Sequence, residues 1–120
     1  MSNNLNPNIW GPSVWDGMKY IAYGYPNYPT KKDIKHYWKY FKYLGYVLPC
    51  GQCQNTYIYH ISNGSCKLTL DVFANQTSLT KWLYNIHNLI NEELGKTCKL
   101  TYEEFMEDIE FDKIKSCGLN

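Results

Sequence analysis

The segment from Ser78 to Gly95 has the strongest helical periodicity in the chain and constrains the fold more than any other feature. Its apolar side chains recur at three- and four-residue spacing, which is the pattern of an amphipathic helix. They are Leu79, Trp82, Leu83, Ile86, Leu89, Ile90 and Leu94. Ser78 can cap such a helix and Gly95 can end it. A helix with one apolar face has to bury that face, so the remaining segments must supply packing partners.

Weaker periodicity of the same kind predicts those partners. Thr30 with Asp33 and Thr101 with Glu104 have the spacing of capping boxes, which mark two helix starts. The stretch between the third and fourth helices contains turn residues without a clear period, so we expect a long connection there. The predicted helices cover residues 13–23, 31–45, 50–61 and 78–94, with a short fifth helix after residue 101. We therefore predict an all-α fold, a four-helix bundle with a short fifth helix.

Length and composition indicate one globular domain. A chain of 120 residues with 44% apolar and 19% charged residues can close a single core. Residues 1–9 are polar and rich in Asn, so we expect a disordered lead-in there and a flexible tail at residues 116–120. The domain is then expected to span residues 10–115. The first residues show neither the basic segment nor the apolar stretch of a secretory signal, so none is expected.

Two classes of partner are not expected. No apolar run approaches the roughly 18 residues that a membrane-spanning helix needs. The formal net charge is only +1, and the basic side chains include no Arg. The chain therefore lacks both the positive field and the base-reading side chain that are typical of nucleic-acid-binding proteins. We expect neither a membrane nor a nucleic acid as partner.

Cys50 and Cys53 form a Cys-x-x-Cys motif at the predicted start of the third helix. Two cysteines at this spacing can close a small disulfide, and the helix dipole lowers the pKa of a thiol at an N-terminus, so the motif suits a redox pair. His60 and Cys66 follow closely, and the four side chains could instead bind zinc in a helical protein-interaction module. A thioredoxin-like site needs flanking strands, which the pattern does not predict. The motif by itself leaves the redox and zinc interpretations open.

A polar and aromatic stripe runs beside the apolar face of the fourth predicted helix. It consists of Tyr84, His87, Asn88 and Asn91, which share one side of a helix by their spacing. Two Asn in the middle of a helix cost stability unless their amides bind something. For an isolated helix a solvated surface stripe is the simpler interpretation, but the two amides favour a bound ligand. The chain also has twelve Tyr, four Trp and four Phe, whose flat rings either fill a core or stack on a planar ligand.

Six short motifs occur in order over residues 10–96. They are Trp10-Gly11-Pro12 with Trp15, Tyr25-Pro26, Pro49-Cys50-Gly51-Gln52-Cys53, Trp82, His87-Asn88-Leu89-Ile90-Asn91 and Leu94-Gly95-Lys96. In order and approximate spacing, this set resembles the Erv/augmenter-of-liver-regeneration type of FAD-linked sulfhydryl oxidases. The chain looks most like the short forms of large DNA viruses.

The resemblance implies that the bundle holds FAD at its mouth. The implied cofactor-binding residues are Gly11, Trp15, Lys19, His87, Asn88, Asn91 and Lys96. Among them, Trp15 and His87 are expected to flank the flavin or adenine rings, and Lys96 to meet the phosphates or the adenosine. The family usually has His where this chain has Lys19, and Phe105 is the nearest candidate for a Trp that the family has near the end.

The resemblance also implies an activity. Cys50 is expected to receive incoming thiols and Cys53 to lie next to the flavin, so that substrate dithiols are oxidised and oxygen is reduced to hydrogen peroxide. The implied partners are substrate protein dithiols or a thioredoxin-like thiol carrier, oxygen, and a second copy of the chain. The homodimer is expected to form through the first two helices, where four aromatic residues are available: Tyr20, Tyr37, Trp38 and Phe41.

The resemblance defines the location of the protein only broadly. A viral protein of this type is expected in the host cytoplasm, the virus factory or the virion, and otherwise in the mitochondrial intermembrane space.

The roles of the three remaining cysteines are also less defined by the resemblance. Cys66 has no partner at the expected spacing, and Cys98 can be a buried apolar residue. Cys117 could deliver electrons to Cys50, although a tail cysteine without a role is the simpler interpretation.

Overall fold

Five α-helices make up most of the molecule. The computed structural model describes residues 3–96 and 100–111, and for residues 108–111 it describes the backbone only. The helices are α1 (Pro7–Tyr23), α2 (Lys31–Tyr43), α3 (Gly51–Ser62), α4 (Gln76–Glu93) and α5 (Tyr102–Phe111). Short 3-10 helices cover Leu44–Tyr46, Gly64–Cys66 and Leu70–Phe73. All regular secondary structure in the described ranges is helical, which confirms the predicted all-α fold.

Helix α1 begins earlier than its apolar pattern predicts. The Asn6 side chain accepts the Asn8 N–H at 2.9 Å, and Pro7 lies in the first turn, where a missing N–H costs nothing. The Leu5 N–H also donates to the Pro49 carbonyl at 2.7 Å. The expectation of a disordered lead-in therefore does not hold for residues 4–9, because this segment is capped and hydrogen-bonded to the body of the protein.

Helix α4 also begins one turn before its predicted cap. Asn75 is the N-cap: its side chain accepts the Ser78 N–H at 2.8 Å, and its own N–H donates to the Ser78 hydroxyl at 3.0 Å. Ser78 is thus the third helical residue of a capping box, so the prediction of Ser78 as the cap is wrong. The two predicted capping boxes, at Thr30 and at Thr101, are confirmed.

The core lies where α1 and α4 pack together and α2 and α3 close over them. Phe41, Phe73, Leu79, Leu83 and Ile86 are fully buried there. Phe41 stacks edge to face on Trp82, with ring centroids 5.3 Å apart. Because its side chain is enclosed, Phe41 is not available for a dimer contact, and this part of the interface prediction is wrong.

The turn after α2 packs closely against the middle of α3. A Cβ atom at Gly45 would lie 2.7 Å from Ile58 Cγ1, so a side chain at this position would clash with α3. The close approach sets the position of the segment that precedes Cys50.

Within the described residues, no helix is both long enough and apolar enough to cross a membrane.

Candidate active site

Cys50 and Cys53 lie at the start of α3, as the sequence predicts. Cys50 is the N-cap, and its Sγ accepts the Cys53 N–H at 3.2 Å. Both side chains are half-buried free thiols. The Gln54 Nε2 donates to the Leu48 carbonyl at 2.7 Å, which fixes the turn that enters the helix. The pair therefore occupies a rigid helix start with one amide donor directed at Cys50.

The pKa of Cys53 differs from the sequence expectation. Burial, together with the hydrogen bond and the charge interaction with Cys50, raises the pKa of the Cys53 thiol to about 12. The helix N-terminus was expected to lower the pKa of the motif's thiols. The N-terminal amide instead donates to Cys50 Sγ, whereas Cys53 lies inside the first turn, where its thiol is partly withdrawn from water.

Cys53 lines a cleft of about 350 Å³ between α1, α3 and α4. The other walls are mostly apolar. They are formed by Pro7, Trp10, Gly11, Val14, Trp15, Met18, Leu44, Leu48, Tyr57, Ile90 and Leu94, and the polar lining residues are Asn8, Asn91 and Lys96. The cleft therefore combines flat apolar walls, an amide, an ammonium group and one thiol of the cysteine pair.

The cleft has the chemistry that a flavin needs. Gly11 is a buried residue of α1, yet a Cβ atom built on it meets no atom within 4 Å, because Gly11 faces the open cleft. A side chain there would fill this space. Apolar walls suit an aromatic ring system, and Asn91 and Lys96 suit its polar edge and a phosphate. The residues present thus fit the cofactor that the resemblance implies.

Four of the seven predicted cofactor residues line this cleft. They are Gly11, Trp15, Asn91 and Lys96. Burial lowers the pKa of the Lys96 ammonium group, which is the direction expected for a cation at the edge of an apolar cleft. These four residues come from α1, α4 and the turn after α4, so the tertiary fold brings together positions far apart in the sequence.

His87 lies one layer behind the cleft. Its ring meets Trp15 edge to face, with centroids 4.7 Å apart and planes at 89°, and its Nε2 lies 3.2 Å from Asn91 Nδ2. Because the rings of Trp15 and His87 contact each other, no planar ligand fits between them in this arrangement. His87 instead supports two residues that line the cleft.

Lys19 and Asn88 are not among the residues that line the cleft. Lys19 is 6% exposed, and its Nζ lies 4.3 Å from the centre of the Phe105 ring and 3.8 Å from Asp16 Oδ1. The two positions at which the chain departs from the family pattern, Lys19 and Phe105, thus contact each other. Asn88 is half-buried on α4.

The structure does not support the zinc interpretation. In the described ranges, no group of three or more His, Cys, Asp and Glu side chains is arranged to hold a metal ion. His60 Nε2 lies 2.9 Å from Glu93 Oε1, and the Cys66 side chain is buried in the core. The four proposed zinc ligands therefore lie in three local environments: the Cys50–Cys53 pair, His60 beside Glu93, and Cys66 in the core. Cys98 and Cys117 lie outside the described residues.

Sequence reasoning missed several cleft residues, among them Tyr57, Leu48 and Met18. One of them had a usable signal. Tyr57 follows Cys53 by four residues, so both lie on the same face of α3, and a cofactor next to Cys53 also meets Tyr57. Met18 and Leu48 had no such signal, because apolar residues of this kind are normally part of a core.

Comparison with known proteins agrees with this site. The profile of the Erv1/Alr family matches residues 12–111. A probable FAD-linked sulfhydryl oxidase of Acanthamoeba polyphaga mimivirus is 39% identical over 106 residues, which are 88% of this chain and 72% of that protein. A relative from Invertebrate iridescent virus 6 is 29% identical over 96 residues, covering 78% of this chain and 86% of that protein.

The fold agrees as well. The crystal structure of the yeast Erv1 core superposes with a TM-score of 0.76 at 19% identity, over 94% of this chain and 90% of that one. The family profile spans the cysteine pair, α3, α4 and α1 from residue 12 onward. The chain therefore belongs to the Erv1/Alr family.

Proposed function

We propose that the protein is an FAD-linked sulfhydryl oxidase that forms disulfides in substrate proteins and reduces oxygen to hydrogen peroxide. The observation that carries this proposal is that Cys53 lines the apolar cleft while Cys50, its partner in the motif, does not. One thiol of the pair therefore faces the space for a cofactor, and the other is left for substrate. The family membership and the names of the viral relatives support the same activity.

Gly11, Trp15, Asn91 and Lys96 are proposed to hold the cofactor, with His87 supporting Trp15 and Asn91 from behind. When bound, FAD accepts an electron pair and passes it to oxygen. A cleft of about 350 Å³ is at the small end of ligand sites, so it suits the ring system, and the rest of the dinucleotide is expected at its edge. Lys96 lies at that edge, where an ammonium group can meet a phosphate.

The cysteines carry out thiol–disulfide exchange. A substrate thiolate attacks Cys50 Sγ in the oxidised pair, the bond between Cys50 and Cys53 breaks, and Cys53 leaves as a thiolate. A second substrate thiolate then attacks the substrate sulfur of this mixed disulfide, so that Cys50 leaves as a thiolate and the substrate disulfide is released. The substrate loses two electrons and two protons in total, and the reduced pair carries both electrons.

The state of Cys50 controls the chemistry of Cys53 during this exchange. The charge interaction and the side-chain hydrogen bond with Cys50 are two of the three causes that raise the pKa of Cys53. In the mixed disulfide Cys50 is no longer a thiolate, so it neither repels a Cys53 thiolate nor accepts a hydrogen bond from the Cys53 thiol as a thiolate would, and both causes are removed. The Cys53 thiolate is therefore less disfavoured next to a Cys50 in mixed disulfide than next to a Cys50 thiolate, and this makes Cys53 a better leaving group in the step that forms the mixed disulfide.

Protein dithiols, or a thioredoxin-like thiol carrier, are proposed as substrates. The protein is proposed to act as a homodimer through α1 and α2, where Tyr20 is 53% exposed and Tyr37 and Trp38 are half-buried. The viral relatives favour a location in the host cytoplasm, the virus factory or the virion, and the mitochondrial intermembrane space is the second possibility.

The purified protein tests the function directly. An oxidase should be yellow, show flavin absorbance and consume oxygen when dithiothreitol is added, with hydrogen peroxide as product. A colourless protein that stays colourless after incubation with FAD, and that consumes no oxygen with dithiothreitol, would contradict the proposal. Stoichiometric zinc in that colourless protein would support the alternative function, a helical protein-interaction module that binds zinc.

A further inference from the structure

The N-terminal strap, which comprises residues 4–6, contacts the chain on both sides of Cys50. Asn4 Oδ1 accepts the Gly51 N–H at 2.9 Å, and the Leu5 N–H donates to the Pro49 carbonyl at 2.7 Å. Pro49 and Gly51 are the immediate neighbours of Cys50 in the chain. Two hydrogen bonds from the strap thus hold the backbone before and after the cysteine that is proposed to meet substrate.

Asn4 has a backbone conformation that permits this double contact. Its φ is 53°, and it is the one non-glycine residue with positive φ in the described part of the chain. Most L-residues adopt this left-handed conformation only at an energetic cost, which Asn bears better than most. With this turn the Asn4 side chain reaches Gly51 while the next N–H reaches Pro49. The unfavourable backbone conformation of Asn4 is therefore kept at a contact next to a reactive residue.

The strap also joins Cys50 to the wall of the cleft. The Trp10 Nε1 donates to the Leu5 carbonyl at 2.9 Å, and Asn6 caps α1. Trp10 and the first turn of α1 line the cleft, and Cys53 lines it from α3. The strap consequently connects two structural parts whose relative position matters for electron transfer from the cysteine pair.

A helix start needs this kind of support. The first N–H groups of a helix have no partner within the helix. In α3, the Cys53 N–H is bonded to Cys50 Sγ and the Gly51 N–H to Asn4. Without Asn4 the first turn of α3 is held less firmly, and the geometry between Cys50 Sγ and the Cys53 N–H becomes less defined.

We propose that Asn4 is a positioning residue for Cys50: its hydrogen bond to Gly51 fixes the first turn of α3 and so orients Cys50 Sγ toward the incoming thiol. The effect on turnover rests on the proposed oxidase function. The effect on Cys50 itself does not, because the reactivity of this thiol can be measured without turnover.

Two variants of Asn4 separate its positive φ from the hydrogen bond that its side chain accepts. Asn4→Gly keeps the positive φ and removes the acceptor, whereas Asn4→Asp keeps an acceptor and adds a negative charge near Cys50. Asn3→Gly is the matched control, because Asn3 is the exposed preceding residue. Two rates are measured on the full chain: oxidation of dithiothreitol, as kcat/KM, and alkylation of Cys50 by iodoacetamide in the reduced protein across a pH series, read by mass spectrometry of the Cys50 peptide.

Asn4→Gly should lower both rates by about two- to fivefold, which corresponds to the loss of one exposed hydrogen bond. Asn4→Asp should move the pH midpoint of Cys50 alkylation upward, because a carboxylate disfavours a nearby thiolate. Cys53 is the titratable neighbour in contact with Cys50, and it is present in all these variants. Asn3→Gly should match the parent protein in both measurements.

The outcomes separate this proposal from the oxidase proposal. Parental rates for Asn4→Gly, with an unmoved midpoint for Asn4→Asp, would show that Asn4 does not position Cys50. The expected alkylation changes in a protein that consumes no oxygen would support the positioning role and contradict the oxidase. Faster turnover of Asn4→Gly would mean that the strap obstructs Cys50, which also overturns the proposal.

Discussion

Two groups of aromatic residues, one in the core and one around the cleft, differ in what fills the space next to their rings. In the core, the Tyr25 hydroxyl donates to the Phe73 carbonyl and the Trp82 Nε1 to the Cys66 carbonyl, both at 2.7 Å. The rings there are buried against other side chains of the core. Around the cleft, Trp10 and Trp15 face an open volume of about 350 Å³.

This difference shows that a residue type does not define a ligand site. Trp and Tyr supply apolar area in both regions, and each polar tip finds a partner where the ring is buried. The cleft differs because α1 presents Gly11 at the point where a core helix would present a side chain. Substitutions in the core should therefore affect folding, and substitutions around the cleft should affect the cofactor and the reaction.

The largest expected difference is between cysteines of the two regions. Cys53→Ser, which removes a thiol that lines the cleft, should abolish dithiol oxidation and leave FAD bound, because the helices hold the cofactor. Cys66→Ala removes a thiol of the core and should keep turnover within about twofold, since a buried cysteine acts as a small apolar residue. Oxygen consumption with dithiothreitol and flavin content after gel filtration measure both effects. Normal turnover by Cys53→Ser would contradict its role beside the flavin.

A large ring removed from the core should affect stability more than cofactor binding. Phe73→Ala should lower the free energy of unfolding by about 3–5 kcal/mol, because Phe73 is fully buried and leaves a cavity. Urea unfolding of the flavin-free protein measures this change. Flavin titration of the folded fraction should give a dissociation constant within about threefold of the parent, a margin below 1 kcal/mol. A large loss of flavin affinity would mean that the two regions are coupled.

Filling the cleft should have the opposite effect. Gly11→Leu should weaken FAD binding at least about a hundredfold, or about 2.7 kcal/mol, because the new side chain occupies cleft volume. Gly17→Leu is the matched control, since Gly17 also lies on α1 with open space at its Cβ position and is not a lining residue of the cleft. Flavin fluorescence titration compares the two variants. Equal affinity in both would place the cofactor elsewhere.

The polar residues of α4 allow a finer comparison. Asn91→Ala and His87→Ala should each weaken FAD binding by about 1–2 kcal/mol, because one removes a polar cleft contact and the other its support. Asn88→Ala is the control on the same helix, and its effect should be smaller, because Asn88 is not among the lining residues. Equal losses for Asn88→Ala and Asn91→Ala would restore Asn88 as a cofactor contact, and no loss in any variant would return the stripe to a structural role.

The smallest expected effect concerns the pH dependence of the rate at which Cys53 is alkylated. In the flavin-free reduced protein, its pKa of about 12 means that the thiolate forms only in strongly alkaline solution. Cys50→Ser removes the charge of Cys50, which is one cause of the raised value, so the pH midpoint for alkylation of Cys53 should fall while burial keeps it above the ordinary value. A midpoint that stays near 12 in Cys50→Ser would mean that burial alone sets the pKa.

Much of the fold could be predicted from local patterns. The capping boxes at Thr30 and Thr101, the start of α3 at Cys50 and the end of α4 near Gly95 are confirmed. The early starts of α1 and α4 were missed although their signals are local: Asn6 precedes Pro7, and Asn75 precedes Ser78 by three residues. In both cases the apolar period begins after the cap, so a prediction based on apolar residues places the helix start too late.

The site was predictable in part. The order of the motifs identified the cysteine pair and four residues that line the cleft, because the resemblance carries information about three-dimensional proximity. It also placed Lys19, His87 and Asn88 at the cofactor, and none of these three lines the cleft. Lys19 contacts Phe105, and His87 supports Trp15. Periodicity alone predicts which residues lie on the same face of a helix. It does not predict which other part of the protein, or which ligand, packs against that face.

The sequence by itself determined the helices, their caps and the pair of thiols, since each of these depends on residues within one or two turns. Only the tertiary structure decided that Gly11 faces an open cleft, that Cys53 is buried deeply enough to raise its pKa, and that Asn4 reaches Gly51 across 47 positions. Burial and electrostatics depend on which distant segments come together, and this depends on how all the apolar faces pack at once.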